Sequence, residues 1–230
     1  MTNMFCESAF FGVVISLLAY ELGMLLKKKF WFPIFNPLLI SIAVVIVFLA
    51  VFDIDYQNYN DGAKYLSYLL TPATVCLAIP LYEQMEALKK NIKAILAGIL
   101  SGVLTSLTVV LALALIFNLN HKMYVTLLPK SITTAIGMGV SEELGGAVTI
   151  TVAVIIITGA LGNMMAETLC KLFHIEEPIA KGISIGSASH AIGTAKAMEM
   201  GDVEGAMSSL SIAVAGILTV VGASIYAMFI

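Results

Sequence analysis

The sequence predicts an all-α polytopic membrane protein with about six long transmembrane helices, additional broken or re-entrant half-helices, and two repeat-related halves. Three observations predict this fold. Long stretches of the chain carry no charged residue, two shorter segments are rich in Gly, Ser and Thr, and a short motif recurs at intervals of 57 and 56 residues.

The distribution of charge gives the first observation. Apolar residues make up 60% of the 230 residues and charged residues 12%, whereas soluble domains contain about 25% charged residues. A helix needs about 20 apolar residues to cross a bilayer, and a soluble globule of this size cannot bury several such helices. A soluble enzyme, a nucleic-acid-binding protein and a disordered scaffold are therefore excluded. Five stretches contain no Asp, Glu, Lys or Arg: residues 30–52, 65–82, 94–120, 144–166 and 205–230.

The predicted N-terminal half, residues 1–118, contains four apolar elements, near residues 8–26, 34–52, 65–82 and 92–117. Lysines at positions 27–29 follow the first element, and lysines at 89, 90 and 93 follow the third. The positive-inside rule places both groups in the cytoplasm and the acidic loop 53–61 outside. Glu7 and no Lys precedes the first element, so we expect a retained span and not a cleavable signal peptide.

The third element is predicted to be broken, because Pro72 and Pro80 both lie inside it. Proline removes a backbone donor and clashes with the preceding turn. Such a break survives at membrane depth only where the freed carbonyls face protein or a water-filled cavity. The N-terminal half is thus predicted to be a scaffold with one Pro-broken helix, residues 65–82.

The predicted C-terminal half, residues 119–230, combines two long spans with two shorter polar segments. The long spans are near residues 144–171 and 205–230, and the polar segments are residues 128–143 and 182–201. Both polar segments are dense in Gly, Ser and Thr and carry a lysine. Discontinuous helices of this kind line substrate sites near the bilayer midplane in many transporters. Close packing of helices through small residues is the alternative.

A weak internal repeat supports the first interpretation. An Ala-Ile pair occurs at residues 78–79, 135–136 and 191–192. The suggested unit is one broken element followed by one long span, and four units pair into the two halves. Hydropathy leaves open whether the halves are inverted. Each pair is preceded by a hydroxyl side chain and followed by a glutamate at constant spacing: Thr74, Ser131 and Ser187, and Glu86, Glu143 and Glu199.

The polar segments predict a site for a small carboxylate anion. If the chain is helical from Lys130, then Lys130, Thr134 and Gly137 share one face. The same spacing puts Ser189 on one face with Lys196. An anion held between two ammonium groups offsets the desolvation cost of all three charges. The predicted substrate-binding residues are Lys130, Ser131, Thr133, Thr134, Ser187, Ser189, His190, Thr194 and Lys196.

Proton coupling is expected, because importing a monoanion against the membrane potential costs about 2.3 kcal/mol per 100 mV and a co-transported proton removes that cost. His190, Glu143 and Glu199 are the candidate proton carriers. A buried neutral histidine and interfacial helix ends are the respective alternatives. Asn163 and Glu167 are interpreted as packing and interface residues.

No enzyme activity, cofactor or metal is expected. Ser189 and His190 are adjacent and point in different directions on a helix, and no acid is placed to orient the imidazole. The three cysteines are far apart and have no spacing typical of a zinc site or a disulfide framework.

Several motifs give the chain a resemblance to the LrgB/CidB family, over nearly its whole length. They are PLYEQ at residues 80–84, PKSITTAI at 129–136, GSASHAIGTAKA at 186–197 and EGAMSSLSI at 204–212, with NPLLISIAV at 36–44. Ala135 departs from the family pattern, which has a second proline after the Thr pair.

The resemblance implies two functions of different classes. One is an antiholin-like regulator of murein hydrolase activity and autolysis, a multi-pass protein of the bacterial cytoplasmic membrane that acts with a small LrgA/CidA-type partner. The other is a secondary transporter of pyruvate, glycolate, glycerate or a similar monocarboxylate. The small size of the chain favours a homodimer or higher oligomer.

Overall fold

The computed structural model describes residues 10–30, 37–76 and 78–230, and these residues form helices and no strand. The predicted all-α class is thus confirmed for the described part of the chain. The structure divides into two compact units, Met1–Cys76 and Leu77–Ile230. This boundary does not coincide with the division at 118/119, and the two repeat-related halves remain a prediction.

The first unit contains α1 (Phe11–Phe30), α2 (Pro37–Val51), α3 (Tyr56–Ser67) and α4 (Leu70–Cys76). α1 packs against α2 and α3. Gly12 lies directly against the backbone of α3, where any side chain would collide with Tyr59 and Ala63. The hydroxyls of Ser16 and Tyr59 lie 2.7 Å apart across the same contact.

The second unit carries the candidate site. Its elements are α5 (Ala78–Glu83), α6 (Met85–Ile116), α7 (His121–Leu127), α8 (Thr134–Glu143), α9 (Val148–Leu172), α10 (Pro178–Met200), α11 (Asp202–Tyr226) and a closing 3-10 helix (Ala227–Phe229). The core follows one face of α6, where Ile95, Ile99 and Val103 are buried at intervals of four residues. α10 packs against α6, α9 and α11.

Three helices among the described residues are long and apolar enough to cross a membrane, namely Met85–Ile116, Val148–Leu172 and Asp202–Phe229. Only 22–28% of the residues in their most apolar windows are buried, and large apolar side chains such as Leu104, Ile157 and Ile217 are exposed, as lipid-facing side chains are. The predicted count of about six is not confirmed. α2 has only 15 residues. The predicted Pro-broken helix, residues 65–82, includes residue 77, which lies outside the described residues, and it stays a prediction.

The first polar segment, residues 128–143, forms the tip and the second arm of a helical hairpin, residues 121–143, called hairpin A. Its two arms are α7 and α8, and residues 128–133 form the tip. Thr126 on α7 accepts a hydrogen bond from the backbone N–H of Ala147, and the Thr151 hydroxyl lies 2.7 Å from Ser141 Oγ on α8 and 3.0 Å from the Thr126 carbonyl. The C-terminal parts of both arms, at Thr126 and Ser141, therefore lie beside the N-terminal end of α9.

The second polar segment also turns back on itself. α10 is interrupted at His190, which has φ 43° and ψ −143°, and its two halves form hairpin B, residues 178–200. Gly182 on the first half lies against Glu204 of α11, and Met198 on the second half lies against Gly205 of the same helix. The two halves are thus side by side, and His190 is the tip.

The two hairpins enter from opposite ends of α9 and meet near its middle. Gly137 of hairpin A packs against the Ile155 side chain, and His190 Nε2 of hairpin B lies 3.0 Å from the Ile155 carbonyl. From this point hairpin B runs along α9 towards its C-terminal end, where Lys196 pairs with Glu167. Both polar segments are interrupted, hairpin A at residues 128–133 and hairpin B at His190.

One local detail of the prediction is wrong. α8 begins at Thr134, so Lys130 belongs to the hairpin tip and does not share a helical face with Thr134 and Gly137. Pro129 lies in this tip, and proline cannot donate the hydrogen bond that a continuous helix would require there.

Candidate functional site

A cavity of about 860 Å³ lies between α6, the tip of hairpin A and the first half of hairpin B. Its polar lining comes from Lys130 and Ser131 at the tip, Ser187 on hairpin B, and several hydroxyl groups of α6. The cavity therefore forms where the two hairpins approach the same long helix, α6.

One face of α6 makes the cavity possible because its residues are small. Gly98 lies opposite Ile183 and Gly102 lies opposite Ser187, where an added Cβ would be 2.9 Å from Ser187 Oγ. Small and hydroxyl side chains recur at three- and four-residue spacing on this face, and they line the cavity: Gly98, Ser101, Gly102, Thr105 and Ser106. The bare backbone lets hairpin B approach closely without closing the space.

Lys130 is held by a short chain of hydroxyl groups. Its Nζ donates a hydrogen bond to Ser131 Oγ at 2.9 Å, and Ser131 Oγ lies 3.1 Å from Ser106 Oγ on α6. Ser131 is buried and Lys130 is half-buried. The ammonium group is thus fixed at the wall of the cavity by a contact between hairpin A and a transmembrane span.

One cationic and one anionic side chain line the cavity among the described residues. Lys130 is its cationic lining residue, and the carboxylate of its lining belongs to Glu177. Glu177 is exposed and caps α10, with its Oε2 accepting the Ala180 N–H at 2.8 Å. A half-buried ammonium beside neutral hydroxyls is complementary to a small anion with a single charge, because each compensates the other's lost hydration.

The remaining predicted residues of hairpin B lie away from this cavity. Ser189 is buried against Gly162 of α9. Thr194 is fully buried, donating to the His190 carbonyl at 2.9 Å and lying 2.7 Å from Ser208 Oγ. On hairpin A, Thr133 caps α8 and Thr134 begins it, both half-buried.

His190 is 2% exposed, and its ring lies against Gly159. With Nε2 on the Ile155 carbonyl, it is a buried histidine bonded to a neighbouring helix. This arrangement is the alternative that the sequence left open, and a proton-carrying role for His190 stays a prediction. Glu143 and Glu199 are both exposed.

The two ammonium groups do not share one cavity. Lys196 lines a separate cavity of about 480 Å³ with Glu167 and Glu199, and its Nζ lies 3.4 Å and 3.1 Å from their carboxylates. Glu167 is 12 residues beyond Ile155 on α9, which corresponds to about 18 Å along the helix. Because the break falls at His190, Lys196 is carried away from the tip towards the base of hairpin B, and Lys130 lacks the predicted partner.

Two polar residues gain roles that the sequence did not indicate. Asn163 on α9 donates from Nδ2 to the Ile192 carbonyl at 2.7 Å, which satisfies a backbone acceptor just after the break, as membrane depth requires. Ser106 anchors Ser131. The recurrence of small and hydroxyl residues along 94–120 is the sequence feature that indicates this polar face. The absence of charge over the same 27 residues predicts only a membrane span.

The LrgB-like family model matches residues 16–229. The chain belongs to the LrgB-like family. Three relatives, each called antiholin-like protein LrgB, come from Bacillus mycoides (strain KBAB4), Bacillus cereus (strain B4264) and Bacillus anthracis (strain CDC 684 / NRRL 3495). Each is 40% identical over 222 residues, covering 96% of this chain and 96% of the relative. No solved structure matches.

The family assignment confirms the resemblance inferred from the motifs, and the names of these LrgB relatives describe no enzyme. Among the described residues there is no group of three or more His, Cys, Asp or Glu side chains that could hold a metal ion.

Proposed function

We propose that this protein is an antiholin-like regulator of murein hydrolase activity and autolysis in the bacterial cytoplasmic membrane. The single observation that carries the proposal is the 40% identity, over 96% of both chains, to proteins called antiholin-like LrgB. The three candidate spans among its described residues suit a membrane protein. A small LrgA/CidA-type membrane protein is the proposed partner, and the chain itself is proposed to assemble as a homodimer or higher oligomer.

The test is a deletion of the gene in its own host. The deletion strain should autolyse faster and show greater murein hydrolase activity, and expression of the full chain should reverse both changes. Autolysis is followed by the fall in culture turbidity and hydrolase activity by zymography. An unchanged autolysis rate in the deletion strain would contradict the proposal. Co-purification with the small partner tests the assembly separately.

One observation favours a second function, transport of a small monocarboxylate. Lys130 lines a cavity of about 860 Å³ between α6 and two hairpins with interrupted helices, and many transporters bind substrates at such interrupted helices near the midplane. The Ser131 hydroxyl lies beside the ammonium as a neutral hydrogen-bonding group, whereas the Ser187 hydroxyl donates its proton to the Ile183 carbonyl at 2.7 Å and only lines the wall. Pyruvate, glycolate and glycerate carry one carboxylate and fit this charge.

Uptake of labelled C2–C3 acids into proteoliposomes tests the second function. The acids are supplied with and without a proton gradient, and with and without the small partner. Lys130→Gln should abolish uptake, because no other cation lines the described cavity. Full uptake by a correctly folded Lys130→Gln protein would refute this site.

The two functions are separable in cells. If carboxylate flux controls lysis, the Lys130→Gln gene should fail to restore normal autolysis in the deletion strain. If the protein restrains lysis only by binding its partner, the same gene should restore it fully.

A further inference from the structure

The anchoring of Lys130 depends on a residue of a different element. Ser106 lies on α6, a helix of 32 residues, and its Oγ is 3.1 Å from Ser131 Oγ. Ser131 Oγ in turn accepts an N–H from Lys130 at 2.9 Å. The three groups form one hydrogen-bonded chain that runs from the span to the ammonium.

This chain matters because neither Lys130 nor Ser131 is held by a regular helix. Residues 128–133 are the turn at the tip of hairpin A, and a lysine side chain has many rotamers. A ligand group at the end of such a side chain binds well only if neighbouring contacts lock its rotamer. Ser106 supplies such a contact from a rigid element.

α6 contacts a serine in each of the two hairpins. One turn before Ser106, Gly102 lies against Ser187 of hairpin B. Ser131 and Ser187 occupy corresponding positions, each four residues before an Ala-Ile pair. The face of α6 that carries residues 102 and 106 therefore contacts both serines, Ser187 through Gly102 and Ser131 through Ser106.

We propose that Ser106 is a positioning residue for the anion site, acting through Ser131 to aim the Lys130 ammonium into the cavity. The proposal rests on the second function above, carboxylate binding at this cavity. In this proposal Ser106 strengthens binding of the anion although its side chain does not contact the anion's charged group.

The experiment measures carboxylate uptake by the full chain in proteoliposomes. Ser106→Ala should raise KM about five-fold with little change in maximal rate, which is the loss expected for one hydrogen bond. Ser106→Thr keeps the hydroxyl and should restore the wild-type KM. Thr108→Ala is the matched control, because it removes a similar bond from α6 to Tyr226, 2.8 Å long, outside the cavity lining.

A double-mutant cycle separates positioning from a direct contact. Because Ser106 acts through Ser131, Ser106→Ala should add nothing to the KM of Ser131→Ala. Additive effects of the two substitutions, or an unchanged KM in Ser106→Ala, would overturn the proposal.

A second measurement does not depend on transport. The rate at which an amine-reactive reagent labels Lys130, read by mass spectrometry, should rise in Ser106→Ala and return in Ser106→Thr, since the ammonium is then held less firmly. Absence of uptake by the wild-type protein would refute the transport function alone. Equal labelling rates in wild type and Ser106→Ala would refute the positioning role alone.

Discussion

The meeting point of hairpin B and α9 allows a quantitative test with one methyl group. An Ala at position 159 would place its Cβ 2.6 Å and 2.7 Å from Cε1 and Nε2 of His190 and 3.0 Å from the Ile192 Cβ. The imidazole cannot retreat without losing its 3.0 Å contact to the Ile155 carbonyl. The tip of the hairpin must therefore shift.

The magnitude of the Gly159→Ala effect follows from three contributions. Overpacking costs about 1–3 kcal/mol, loss of the histidine hydrogen bond costs about 1 kcal/mol, and Ala in a helix gains about 1 kcal/mol over Gly. We expect a net destabilisation of about 1–3 kcal/mol, measured by denaturant unfolding of the purified protein in detergent.

Gly139→Ala is the matched control for this measurement. Gly139 also lies inside a helix, but an added Cβ has no neighbour within 4 Å. The same substitution should there be neutral or stabilising by up to about 1 kcal/mol. Equal stability of the wild type and the Gly159→Ala protein would show that the hairpin tip is not packed on α9 as described.

The other predictions concern the site and the break. Lys196→Gln should keep substantial carboxylate uptake in proteoliposomes while Lys130→Gln loses it, because Lys196 lines a different cavity with two carboxylates; equal loss in both would restore the two-ammonium site. Gly102→Ala should raise the KM for uptake about ten-fold, since the added methyl crowds Ser187; an unchanged KM would exclude this wall from the site. Asn163→Leu should destabilise the protein by about 1 kcal/mol in denaturant unfolding, because a half-buried carbonyl loses its donor; unchanged stability would mean that the bond to that carbonyl is dispensable.

Local chemistry determined the class of the protein and distinguished the polar segments from the long spans. The absence of charge over 94–120 required a long apolar helix, and α6 is that helix. The two segments rich in Gly, Ser and Thr differ in composition from the long spans, and the structure interrupts both, at residues 128–133 and at His190. Hydropathy and chain-breaking act within a few neighbouring residues, so a sequence displays them directly.

Which polar groups meet was decided only by the tertiary structure. Because the break in hairpin B lies at His190, Lys196 reaches Glu167 and does not meet Lys130, which lies beside Ser131. Ser106 joins the site from a span 25 residues earlier in the chain. Side chains come together through the direction in which each hairpin turns and the face that each long helix presents. These depend on packing between distant segments, which no local pattern encodes.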